Sequence, residues 1–167
     1  MAYRNKVFVS FDGDSDIHYY RLMRAWKQND STPFNFYDAH DINYARDTSS
    51  EGTIKLKLGI RLQSAKVFVL LVGGKTRYLY KFVRWEIQQA ISRGLPIIVV
   101  NLNNKRSRDS LRCPPIVRDE LAIHIPFKSS ILQYALENWP DRHNQLRRQH
   151  EIGPRYYVDK VYERLGL

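Results

Sequence analysis

Apolar residues recur along this chain with two alternating periods. Residues 6–10 (KVFVS), 35–37 (NFY), 67–72 (VFVLLV) and 96–100 (PIIVV) are short runs rich in β-branched and aromatic side chains, the composition of strands. The third and fourth runs are continuously apolar, as expected of parallel strands covered on both faces. Between the runs the spacing becomes helical. Tyr19, Met23 and Trp26 mark one stripe, and Ile54, Leu58 and Leu62 a second. Leu79, Val83, Ile87, Ala90 and Ile91 mark a third, closed by Gly94 and Pro96. This β-α-β-α-β-α-β order predicts an α/β fold, a doubly wound parallel sheet with helices on both faces.

Beyond Asn101 the pattern weakens. Residues 103–115 form a polar loop closed by two prolines. Residues 122–127 (AIHIPF) read as a fifth, edge strand, because Pro126 bars a central one beyond it. Residues 130–139 read as a helix stopped by Pro140, and residues 156–165 as a last helix with Pro154 near its start. The chain divides into an α/β domain over residues 1–128 and a small helical C-terminal extension over residues 129–167, packed on the same domain. Ligands of open α/β sheets sit outside the carboxyl ends of the strands. The segments to inspect are therefore 11–15, 38–50, 73–76 and 101–104.

Composition narrows the classes. With 43% hydrophobic and 26% charged residues the chain can build a core, and a folded domain is expected. No apolar run approaches a membrane span and no signal peptide opens the chain, so a cytoplasmic protein without membrane contact is expected. The lone cysteine, Cys113, excludes an intrachain disulfide. A net charge of +10 favours anionic partners, but the excess is spread along the chain and no basic tail singles out nucleic acid.

Several motifs reduce to ordinary structure. Gly73-Gly74-Lys75-Thr76 suggests a phosphate loop, yet the glycine required five positions before Gly74 is replaced by Val69. A turn with Thr76 capping the next helix is the better reading. Asp12, Asp14 and Asp16 alternate after the first strand, but a calcium loop would need Gly at Ile17 and Glu at Met23. A solvated turn, with Asp14 or Ser15 capping the first helix, is expected. The five histidines show no zinc spacing, so no metal site is expected. Cys113, with no histidine beside it, reads as a loop cysteine.

Glu86 resists such a reduction. It borders the apolar stripe, and its helical neighbours Phe82, Val83, Gln89 and Ala90 include no cation. A carboxylate half-buried beside Phe82 and Trp85 needs a tertiary partner or a ligand.

At this point a family resemblance emerges. Residues 6–11 (KVFVSF) resemble the opening strand of TIR domains, and residues 82–87 (FVRWEI) resemble their Trp-x-x-x-Glu helix. Closer still are the TIR-like ThsB proteins of the bacterial Thoeris antiphage system. That similarity runs in order through residues 36–38 (FYD), 47–49 (DTS), 67–76 and 84–103, and residues 157–162 (YVDKVY) look like the family's closing helix. The resemblance implies a flavodoxin-like sheet and NAD+ as substrate, with no separate cofactor. Such enzymes cleave the nicotinamide–ribose bond, and Thoeris members turn the ADP-ribose part into a signal, often cyclic, for a separate effector protein. A phage-derived trigger and self-association belong to the same picture.

Carried over by position, Glu86 is the catalytic acid. Ser10, Phe11, Asp12, Asp38, Asp47, Trp85, Asn101 and Asn103 are the nucleotide-binding set, with Phe11 available to stack on a base. Two departures stand out: Phe82 replaces the usual Trp, and Arg46-Asp47 lacks the Pro-Gly that usually follows. The main rival is a non-enzymatic TIR-like interaction module in which Glu86 is structural. A third reading, a nucleic-acid binder using Lys105, Arg106, Arg108, Arg147 and Arg148, ranks last.

Overall fold

The computed structural model describes residues 6–28, 37–38 and 50–167. Its elements in chain order are β1 (Val7–Ser10), α1 (Ile17–Gln28), β2 (Tyr37–Asp38), α2 (Glu51–Ser64), β3 (Val67–Val72), α3 (Val83–Ser92) and β4 (Ile97–Asn101). They continue with β5 (Ala122–Pro126), α4 (Ser129–Arg148), β6 (Pro154–Tyr156) and α5 (Asp159–Arg164). The strands form one parallel sheet in the order β2-β1-β3-β4-β5-β6. The first five follow the flavodoxin-like order, as expected.

Alternation along the strands builds two cores. Val9, Leu71, Val100 and Ile123 point to one side, under Met23 of α1, Leu136 and Trp139 of α4 and Tyr162 of α5. Phe8, Phe68, Leu70 and Val99 point to the other, under Leu58 of α2 and Val83 and Ile87 of α3, with Cys113 and Val117 closing the far end. Helix α2 presents Ile54, Leu58 and Leu62 inward as its spacing predicts. The Ser50 hydroxyl starts that helix by accepting the Thr53 N–H at 3.2 Å.

Four expectations change. The third stripe was read from Leu79, but residues Thr76–Tyr78 form a 3-10 turn and the helix begins at Val83. Pro140 does not stop α4, which runs on to Arg148, because Leu136, Trp139, His143 and Leu146 continue one buried stripe across it. The packing of that stripe outweighs the backbone hydrogen bond that proline removes. β5 is not an edge, since Ala122, Ile123 and His124 pair with β6, a strand placed where the last helix was expected to start. Pro126 ends β5 beyond the reach of that ladder. Residues 35–36 of the second predicted strand lie outside the described residues, and β2 appears at Tyr37 and Asp38. No helix among the described residues is long and apolar enough to cross a membrane.

Candidate active site

The strand order reverses between β1 and β3, so the crevice beyond their carboxyl ends is where such a sheet holds ligands. Phe8 faces the α2/α3 side, and alternation therefore turns Ser10 to that side too. Ser10 is buried, and its hydroxyl has no hydrogen-bond partner among the described residues. It lies opposite Leu70 of β3, near that strand's carboxyl end.

Helix α3 follows β3, so its first turn starts at this same end of the sheet. Glu86 sits in that turn, between Val83 and Ile87, which pack on the face that Ser10 joins. It is 1% exposed, deeper than the half-burial expected from its place at the border of the stripe. Beside it α2 packs against α3, with Trp85 reaching Gly59 of α2. The Glu86 N–H donates to the Phe82 carbonyl at 2.8 Å, and the helix N-terminus favours a negative side chain there. Burial leaves a carboxylate in a water-poor setting, where its field acts most strongly.

The loop after β1 is not a solvated turn. Asp12 Oδ1 accepts the N–H groups of Asp14 at 3.0 Å and Ser15 at 3.2 Å, so Asp12, rather than Asp14 or Ser15, organises the entry into α1. Asp14 is exposed, but Asp12 and Asp16 are buried. The Asp16 carboxyl lies against Gly73, so close that a Cβ at Gly73 would stand 2.2 Å from its Oδ2. That oxygen has no hydrogen-bond partner among the described residues. Burial, with the Asp12 carboxylate beside it, raises the Asp16 carboxyl above its ordinary range. In the sequence Asp16 stands only as part of the Asp12-Asp14-Asp16 alternation, which reads as a solvated turn; the structure buries it at the crevice instead. No group of three or more His, Cys, Asp or Glu among the described residues could hold a metal ion.

The remaining predicted residues divide. Phe11 is buried, with its ring stacked on Tyr20 at 4.7 Å, so it belongs to the α1 core and is not offered to a base. Trp85 packs on α2: Lys55 Nζ stands 5.7 Å from its ring, and Gly59 gives it room. Asn101 donates from Nδ2 to the carbonyls of Lys105 at 3.0 Å and Ser107 at 2.8 Å. Asn103 donates to Asp109 Oδ2 at 2.7 Å. Both amides thus shape the loop after β4. Burial alone would raise Asp109, but Asn103, the N–H groups of Arg112 and Leu111, and Lys105 hold it at about 2. Asp38 pairs with Val9 through β2. Asp47 lies outside the described residues.

The phosphate-loop candidate is ordinary structure. Thr76 does not cap a helix by its side chain; its hydroxyl accepts the Gly73 N–H at 2.9 Å and contacts the Leu71 carbonyl at 3.4 Å, folding the turn back onto β3. Cys113 is fully buried, and burial pushes its thiol up to about 11, which suits packing and not nucleophilic chemistry.

Residues 8–107, more than half of the chain, match the family described as Thoeris protein ThsB, TIR-like domain. The chain belongs to this family. Its matched part takes in β1 to β4, and with them Ser10, Asp12, Asp16, Glu86, Asn101 and Asn103. Everything from β5 onward lies past the matched ThsB segment. A crystal structure of a conserved protein from Enterococcus faecalis V583 is 18% identical, covering 64% of this chain and 69% of its own, with a TM-score of 0.47. No curated protein matches.

Proposed function

We propose that this ThsB-type domain cleaves NAD+ between nicotinamide and ribose, and that the ADP-ribose part becomes a signalling nucleotide, in a cyclic form, for a separate effector in antiphage defence. The carrying observation is the placement of Glu86. It is a buried carboxylate in the first turn of α3, on the same face and end of the sheet as Ser10. Membership of a Thoeris family supports the defence setting.

The chemistry asks for such an acid. As the C–N bond to the ribose breaks, its electron pair leaves on the nicotinamide nitrogen and positive charge grows on the sugar, as in glycoside hydrolysis. A fixed carboxylate beside the ribose stabilises that charge, and its exclusion from water strengthens the effect. Nicotinamide leaves as a neutral ring, so no acid has to protonate it. Capture of the cation by water gives ADP-ribose after loss of a proton; capture by an atom of the same nucleotide gives a cyclic product. Ser10, whose hydroxyl has no partner among the described residues, and Asp12 and Asp16, at the β1–β3 crevice, form the nearer binding set. Asp38, Asp47, Trp85, Asn101 and Asn103 complete the set that the family resemblance implies. The net charge of +10 attracts the pyrophosphate.

The test is chromatography of NAD+ incubated with the chain, alone and in lysates of phage-infected cells. The expected result is free nicotinamide together with an ADP-ribose-type product. Intact NAD+ under both conditions contradicts the proposal and favours the non-enzymatic interaction module.

A further inference from the structure

On the far side of the molecule, past the family-matched segment, a groove of about 410 Å³ opens between α4, β5 and β6. Its walls include Tyr134, Trp139, Tyr156 and Tyr157, and Ile123 and Leu146 line it as well. Tyr134 and Tyr157 meet edge to face at 5.1 Å. Trp139 is 2% exposed, yet its indole N–H has no acceptor among the described residues. The Tyr157 hydroxyl is buried and equally unpartnered there. Burial, with Tyr134 and Tyr162 nearby, raises that hydroxyl far above the ordinary tyrosine range, so it stays protonated. Both donor atoms are closed to solvent, so they belong to the packed wall of the groove and not to its open face.

The charged residues that line the groove are cations, one of them ion-paired with Glu151 outside the lining. Arg142 and Arg155 line it, and no acidic residue does. Arg142 spends one N–H on Gln145 Oε1 at 2.8 Å. Arg155 donates to the Ile152 carbonyl at 3.2 Å and to Glu151 Oε2 at 3.1 Å. A guanidinium carries five N–H donors, so both retain donors for an anion. Asn138 uses its amide N–H on the Tyr134 carbonyl at 2.8 Å, which fixes the wall and does not compete. The volume suits a small molecule, and aromatic walls with a few polar groups are the usual make-up of such sites.

We propose that this groove binds a small planar aromatic anion. Its ring lies on the wall made by Tyr134, Tyr156 and Tyr157, beside the buried Trp139, and its acidic group meets Arg142, with Arg155 next to it. The site is separate from Glu86, and its test does not depend on turnover. Two sources share this chemistry: aromatic carboxylates and aromatic phosphates of the nucleotide type.

The experiment is an NMR titration of the indole N–H signals of the ¹⁵N-labelled chain, which has three tryptophans. Trp139→Phe assigns the relevant signal; should that variant not fold, Trp26→Phe and Trp85→Phe assign it by elimination. The probes are benzoate and phenyl phosphate, with cyclohexanecarboxylate and inorganic phosphate as controls. The expected result is a saturable shift of the Trp139 signal by at least one aromatic anion and none by the controls. Arg142→Gln, at an exposed position, weakens binding about tenfold. A stronger response to benzoate assigns the aromatic carboxylates, and a stronger one to phenyl phosphate the nucleotide type. No shift up to about 10 mM probe, an equal shift by cyclohexanecarboxylate, or unchanged affinity in Arg142→Gln overturns the proposal.

Discussion

The Asp16 carboxyl and Gly73 occupy adjoining space at the crevice between β1 and β3, and neither can change alone. Gly73→Ala would place a methyl 2.2 Å from Asp16 Oδ2, which forces the buried carboxyl to move. Such overpacking costs about 1–3 kcal/mol, and we expect urea unfolding to show that loss. Adding Asp16→Ala should return most of it, since the clash is with that side chain. A double-variant loss equal to the sum of the two single losses would contradict the arrangement. At this scale the sequence was legible where a local rule was broken. Glu86 stood out because its helical neighbours carry no cation. Phe11 and Trp85 were not legible, because the rings and helices that claim them, Tyr20 and α2, are chosen by tertiary packing.

Among the elements, the end of α3 illustrates what a local signal can fix. Gly94 has φ +65°, a left-handed conformation that closes the helix, and Leu95 bonds back to the Ala90 carbonyl at 3.0 Å. The Arg147 guanidinium of α4 covers that turn, contacting the Gly94 carbonyl at 3.4 Å. Gly94→Ala should cost about 1–2 kcal/mol from the backbone conformation alone. Because the strain is in the backbone, Arg147→Ala should not rescue it; full rescue in thermal unfolding would contradict this reading. The continuous apolar runs identified β3 and β4 as central parallel strands, and Gly94 with Pro96 marked the turn between α3 and β4. β6 escaped because a three-residue strand of Pro, Arg and Tyr carries no period of its own. α4 was cut short because Pro140 was weighed as a breaker, while the buried stripe continues through His143 and Leu146.

At the scale of the whole molecule, stability should depend on pH through His124. It is fully buried on β5, with neither ring nitrogen bonded among the described residues. Burial, and to a lesser degree Arg108, lowers it from 6.5 to about 4. The unfolded chain therefore takes up this proton first as pH falls. Stability is full above pH 6.5 and declines toward pH 4, by about 3 kcal/mol for this group. His143, lowered chiefly by burial, acts in the same direction. Asp109 works in a separate window: its contribution is present above pH 3.8 and is lost as pH falls through about 2. We expect His124→Leu to flatten the fall in unfolding free energy between pH 7 and pH 4.5, and an unchanged slope would contradict this account. The charge pattern was informative at this scale as an attraction for anions in general, while the particular anion had to be sought in the sites.

The central claim rests on one carboxylate. The most direct measurement is nicotinamide release and nucleotide products, by chromatography and mass spectrometry, in lysates expressing the wild-type chain or Glu86→Gln, with and without phage infection. The account predicts an ADP-ribose-type product that disappears in Glu86→Gln while the variant unfolds cooperatively like the wild type. Undiminished product from a folded Glu86→Gln would contradict it.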